Sequence, residues 1–93
     1  MSKKITVISY DSYIVKKIRS YISEHFLVDF GDEFNDDTDL FKSGIIDSFG
    51  FVELVVFLEK NFDVKFKGEE LIADGLNSVS NMATSIINKQ NGS

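Results

Sequence analysis

Ser48 lies in the stretch Gly44-Ile45-Ile46-Asp47-Ser48-Phe49-Gly50-Phe51-Val52-Glu53-Leu54, where a loop ends and an apolar helical run begins. A hydroxyl at that position faces the unpaired N–H groups of the helix start, where the macrodipole favours negative charge. A phosphate esterified to Ser48 would be stabilised there, as free phosphates are at helix N-termini. The plainer reading of Asp47-Ser48 is an N-cap and nothing more, since both residue types are common caps. Hydrolytic chemistry fits poorly. The single histidine, His25, falls near the end of the first helical run, with no partner pattern around Ser48. Ile46 stands where the first glycine of a nucleophile elbow should be. A calcium loop fits no better, because Asp37-x-Asp39 is followed by Leu40 and Phe41 rather than by further ligands and a turn glycine. No catalytic residue and no metal site are expected.

Around Ser48 the spacing Asp47-Ser48, Phe49, Val52-Glu53-Leu54, Leu58-Glu59 and Phe62, preceded by Asp39-Leu40-Phe41 and Gly44, resembles the acyl carrier protein family. The aminoacyl and peptidyl carriers share this pattern, and the resemblance spans residues 11–88. It implies that Ser48 receives a 4′-phosphopantetheine arm from coenzyme A, with Asp47 beside the phosphate. It also implies a carrier of acyl thioesters, serving fatty-acid or secondary-metabolite synthesis, rather than an enzyme. The alternatives are an aminoacyl or peptidyl carrier, and a helical interaction module that is never modified. The implied partners are a phosphopantetheinyl transferase and the enzymes that load and unload the arm.

The same resemblance makes the second helix a recognition surface, with Phe49, Glu53, Val56 and Glu59 as its partner face. Taken alone, Glu53 and Glu59 read as the wet side of an amphipathic helix. Gly50 and Lys60 occupy helix positions that are commonly acidic in fatty-acid carriers, and Phe49 replaces the usual leucine. These departures point to a specialised carrier dedicated to one pathway.

The elements that must position these residues follow from the rest of the chain. Ninety-three residues make one domain with a small core, and without cysteine neither a disulfide nor a thiolate site can hold it. The net charge of −5 is uneven. Residues 1–28 are locally basic through Lys3, Lys4, Lys16, Lys17 and Arg19, whereas Asp29, Asp32, Glu33, Asp36, Asp37 and Asp39 follow without a base. An acidic chain lacking a basic stripe is a poor ligand for nucleic acid. Leu54–Leu58 is the longest apolar run and is far too short to cross a bilayer. A monomer in the cytoplasm is expected.

Residues 1–10 are read as an N-terminal extension, a short strand or ordered tail. From Asp11 or Ser12, as N-cap, the pattern becomes helical, with Ile14, Ile18, Tyr21, Ile22 and Phe26 on one side. Residues 29–44 hold no period and read as a long loop pinned by Phe34, Leu40 and Phe41. A second helix over Ser48–Phe62 buries Phe51, Leu54, Val55, Leu58 and Phe62, leaving Phe49, Val52, Val56 and Phe57 outside that stripe. A helical turn near Gly68–Ile72 follows. A last helix from Asn77 or Ser78 lays Val79, Met82, Ala83, Ile86 and Ile87 inward, and residues 89–93 form a flexible tail. The expected fold is all-α, a small four-helix bundle of three long helices and one short, with a long loop between the first two.

Overall fold

The computed structural model describes the backbone of residues 2–31, 34–72 and 76–92, and the side chains of residues 12–31, 34–71 and 76–91. Four helices occur in the order α1 (Ser2–Phe26), α2 (Ser48–Phe62), α3 (Gly68–Ile72) and α4 (Val79–Gly92), with no strand among the described residues. The all-α bundle of three long helices and one short is therefore the fold. The spans of α2 and α3 coincide with those read from the sequence.

Both ends of the chain differ from expectation. Residues 2–10 are neither strand nor tail; they continue α1, and the helix runs straight through Asp11 and Ser12, so neither caps it. Ser2–Tyr10 contains no glycine or proline, and β-branched residues lower helix propensity only slightly. Extending an existing helix needs no new nucleus, so a run of weak formers follows the strong segment behind it. The boundary placed at residue 11 thus falls inside a helix. At the other end, residues 89–92 belong to α4 rather than to a tail. Lys89 Nζ meets Glu70 of α3 at 2.7 Å, and Gln90 Nε2 donates to the Phe62 carbonyl at 3.1 Å. That carbonyl lies in the last turn of α2, where the helix offers it no donor of its own.

The core forms between three apolar stripes. Ile14, Ile18 and Ile22 of α1 repeat every four residues, Leu54, Leu58 and Phe62 come from α2, and Val79, Met82, Ala83 and Ile86 come from α4. Leu40, Ile46 and Leu76 enter from the connections. Phe57, expected outside the buried stripe, is half-buried: its ring stacks on Tyr21 with centroids 4.1 Å apart and meets Phe62 edge-on. Ser78 starts α4, its Oγ accepting from Asn81 N at 3.2 Å. α2 ends at Asp63, which takes left-handed geometry (φ 54°) and donates its N–H to the Glu59 carbonyl.

The long connection between α1 and α2 is a chain of hydrogen-bonded turns. Gly31 N donates to Phe34 O at 2.7 Å, and Thr38 N to Asn35 O at 3.1 Å. Two backbone bonds then stitch the connection to the start of α4: Leu40 N donates to Asn77 O and Ser80 N donates to Asp36 O, both at 2.8 Å. An ion pair between Arg19 and Asp36 (3.2 Å) ties the same segment to α1. Asp32 and Glu33, part of the acidic run, lie outside the described residues.

Candidate functional site

The site is built from the loop upward. Asp39 organises the turn before it: one carboxylate oxygen accepts from Phe41 N (3.0 Å) and Lys42 N (2.9 Å), and the other from Asn77 Nδ2 (3.0 Å). Its bond from the Lys42 amide, with help from Asn77 and Phe41, holds this carboxyl below the ordinary aspartate range despite partial desolvation. Gly44 closes the turn with φ 83°, a left-handed geometry that suits glycine, and its N–H donates to Phe41 O at 3.0 Å. The buried Leu40 then accepts from both Ile45 N and Ile46 N at 3.1 Å, and Ile46 drops into the core. Asp47 and Ser48 emerge from this anchored turn.

Asp47 is the N-cap of α2. Its backbone is extended (φ −99°, ψ −175°), and Oδ1 accepts from Gly50 N at 2.8 Å. That settles which of the pair caps the helix. Ser48 is the first helical residue, exposed to solvent, and its hydroxyl is not the cap. Helix geometry leaves the Ser48 and Phe49 amides without intrahelical acceptors. A phosphate on Ser48 Oγ therefore fits this turn: the oxygen is accessible, donors point the right way, and the dipole has the favourable sign.

Gly50 explains how the turn is seated. It is buried, and a Cβ built on it would lie 2.7 Å from Cε1 of Phe26 and 3.0 Å from Cζ. Real Cβ atoms do not approach that closely, so a side chain at residue 50 would push the Phe26 ring, at the end of α1, out of its present place. Gly50, at a helix position commonly acidic in fatty-acid carriers, thus faces inward here, with the Phe26 ring over it. The available signal was a glycine inside an apolar helix, which marks close approach of another group.

The presumed partner face divides in two. Phe49 is 72% exposed, Val52 59% and Val56 45%, with the exposed Glu53 between them. At about 100° per residue, these side chains and the exposed Lys60 follow one line along α2. Glu59 lies about 80° round from Phe49 and is half-buried. Its Oε2 accepts from Phe66 N at 2.9 Å, so this carboxylate holds the segment after α2 against the helix.

His25 has a structural place. It stacks on Tyr21 at 3.9 Å, and its Nδ1 donates to the Tyr21 carbonyl at 3.1 Å. Tyr21 lies between His25 and Phe57; burial, with a smaller contribution from the Glu53 carboxylate, raises its hydroxyl above the ordinary tyrosine range. Among the described residues no three His, Cys, Asp or Glu side chains gather as a metal site, and no helix is long and apolar enough to cross a membrane.

Residues 16–86 match the family described as "Phosphopantetheine attachment site". Among curated proteins, the chain is similar to the D-alanyl carrier protein of Streptococcus mutans (strain UA159), 35% identical over 78 residues that make up 84% of this chain and 96% of that one. It is similar to the D-alanyl carrier protein of Streptococcus sanguinis (strain SK36), 33% identical over the same shares. The D-alanyl carrier protein of Streptococcus gordonii is 36% identical over 70 residues, 75% of this chain and 86% of that one.

Proposed function

This chain belongs to the phosphopantetheine-dependent carriers of the acyl carrier protein family, and from that premise we propose that it is an aminoacyl carrier whose arm is attached through Ser48. As a member of that family it is a carrier rather than an enzyme, with a covalent 4′-phosphopantetheine and with a phosphopantetheinyl transferase and loading and transfer enzymes as partners. The observation that carries the finer reading is the likeness, across more than four-fifths of the chain, to proteins that carry D-alanine. It favours the aminoacyl alternative over fatty-acyl or secondary-metabolite cargo, and a small amino acid such as D-alanine as the load. A cytoplasmic monomer that meets one partner at a time completes the reading.

The residues divide the work. Asp47 holds the first turn by capping Gly50 N, which leaves Ser48 Oγ free to enter the phosphodiester. In the attachment step Ser48 Oγ bonds to the phosphorus of coenzyme A's pantetheine phosphate, 3′,5′-ADP leaves, and the hydroxyl proton passes to the transferase's base. Asp47 stands beside the reacting oxygen, suited to orient the transferase's metal. The arm's thiol supplies the thioester chemistry. Phe49, Glu53 and Val56 present the apolar and acidic surface that partners read, with rim charges acting mainly on association rate. Glu59 supports that surface through Phe66 N.

Two measurements test this. Intact mass after incubation with coenzyme A and a phosphopantetheinyl transferase should show one arm on the wild type and none on Ser48→Ala. Holo protein given ATP and an amino-acid-adenylating ligase should take up D-alanine in preference to a short fatty acid offered with an acyl-activating ligase. An arm on another serine refutes the attachment. Efficient fatty-acyl loading without aminoacylation refutes the cargo.

A further inference from the structure

Ser48 and Phe51 stand three residues apart on α2, so their side chains leave neighbouring points of one helix surface. The Phe51 ring, half-buried, meets Phe41 edge to face, with centroids 5.1 Å apart and planes at 63°. Phe41 belongs to the turn that Asp39 organises, and its own N–H is one of the donors to that carboxylate. Yet 38% of Phe41 remains exposed, on a backbone held by hydrogen bonds at both its N–H and its carbonyl. The two rings make an apolar shelf beside Ser48. It is separate from the Phe49–Val56 line, because Phe51 lies about 160° round the helix from Phe49.

We propose that this shelf seats the gem-dimethyl segment of the phosphopantetheine arm. The proposal rests on attachment at Ser48. The gem-dimethyl carbon comes only a few covalent bonds beyond the phosphate, a reach comparable with the helical pitch of about 5.4 Å that separates successive turns. It is the most apolar part of the arm, while the amide-bearing remainder keeps its hydrogen bonds to water. Two methyl groups laid on aromatic carbon bury apolar surface that both sides otherwise show to solvent. Tethering removes most of the entropic cost of bringing them together, because the second contact is intramolecular. Seated there, the arm leaves α2 on the loop side and does not cover Phe49 or Val56. A partner can then read the exposed face while the thiol end stays free.

Nuclear magnetic resonance of holo protein carrying a ¹³C-methyl-labelled arm tests the idea directly. Expected are upfield displacement of the methyl signals relative to free coenzyme A, and cross-relaxation from those methyls to ring protons of Phe41 and Phe51. Phe41→Leu/Phe51→Leu should return the methyl signals toward their free positions, whereas Phe49→Leu should leave them displaced. Methyl signals in the wild type that coincide with free coenzyme A overturn the proposal, and so does a displacement that vanishes in Phe49→Leu. The wild-type spectrum decides the matter even if the double variant does not fold. Intact mass of the same sample separates the two failures. An unmodified Ser48 sinks the attachment reading, while a modified chain with solvent-like methyl signals sinks the shelf alone.

Discussion

Leu27 follows the last residue of α1 with φ 54°, and 88% of it is exposed. A non-glycine residue in left-handed geometry carries a steric cost of about 1–2 kcal/mol, from its Cβ against the following carbonyl. Exposure means that little apolar burial offsets this cost at Leu27. Leu27→Gly should remove the strain. It should also add unfolded-state freedom worth about 0.5–1 kcal/mol against folding. The difference leaves a net stabilisation of up to about 1.5 kcal/mol from those two terms. For a domain of this size each kcal/mol corresponds to a rise in Tm of about 4–8 °C. Leu27→Val is the opposing control: a β-branched residue fits left-handed geometry worst, so its Tm should fall. Thermal melts followed by far-UV circular dichroism, on apo protein for all three chains, give the answer. A lower Tm for Leu27→Gly, or a higher one for Leu27→Val, would refute the claim that backbone strain at an unburied side chain governs this position.

Because Asp47 and not Ser48 caps α2, Asp47→Ala should cost about 0.5–2 kcal/mol while Ser48→Ala changes stability by no more than about 0.5 kcal/mol, as denaturant titrations will show. Gly50→Ala should destabilise by up to about 3 kcal/mol, partly relieved by the better helix propensity of alanine; Gly50→Asp should cost more, since it also drives a carboxylate toward the Phe26 ring. A second melt on the Phe26→Ala background checks the cause, because the penalty at residue 50 should shrink when the ring is gone. Leu54→Ala and Leu58→Ala should each cost about 2–5 kcal/mol and Val56→Ala much less, and equal losses in all three would mean that the faces of α2 are reversed. Asp39 has a folded pKa below its unfolded value, so its contribution is complete above the ordinary aspartate range and is lost as pH falls through the lowered folded value. Asp39→Asn should therefore flatten the acid limb of the stability curve at that low pH and leave the shape near neutrality unchanged.

Where a single helix carries its own period and punctuation, it was legible. α2 has a buried stripe at three- and four-residue steps, begins at Asp47-Ser48 and ends at Phe62, and its span matched the reading residue for residue. For α4 the sequence leaves Asn77 and Ser78 as alternative starts, and the bond from Asn81 N to Ser78 Oγ gives the place to Ser78. Residues whose role depends on a distant partner were not legible. Nothing in the neighbourhood of Gly50 shows that the ring of Phe26, far earlier in the chain, lies where its Cβ would be. Glu59 has the spacing of a surface residue, and its bond to Phe66 N exists only because the chain turns back after Asp63. Asp39 looked like part of a solvated acidic run until Asn77 and two amides of its own turn converged on it. The start of α1 is hidden for a different reason: Ile5, Val7 and Ile8 partly alternate and so mimic a strand, although helix attached to helix propagates without a new nucleus.

The stitching of the loop to the start of α4 bears on any attempt to transplant this surface. Asp47–Phe62 looks like a portable cassette, one helix with its cap, its serine and its exposed line. Its first turn, however, hangs from Leu40, and Leu40 hangs from Asn77, with Ser80 holding Asp36 behind it. A graft of α2 alone would carry the letters of the site and lose the frame that aims Ser48. A working minimal unit has to take two separated stretches of chain, residues 36–62 with the turns and the helix, and the 77–80 corner, and add Phe26, whose ring lies over Gly50. Shuffling among related carriers should therefore succeed when crossovers spare those stretches together, and should fail at joints placed inside the loop, however well the helices on either side match.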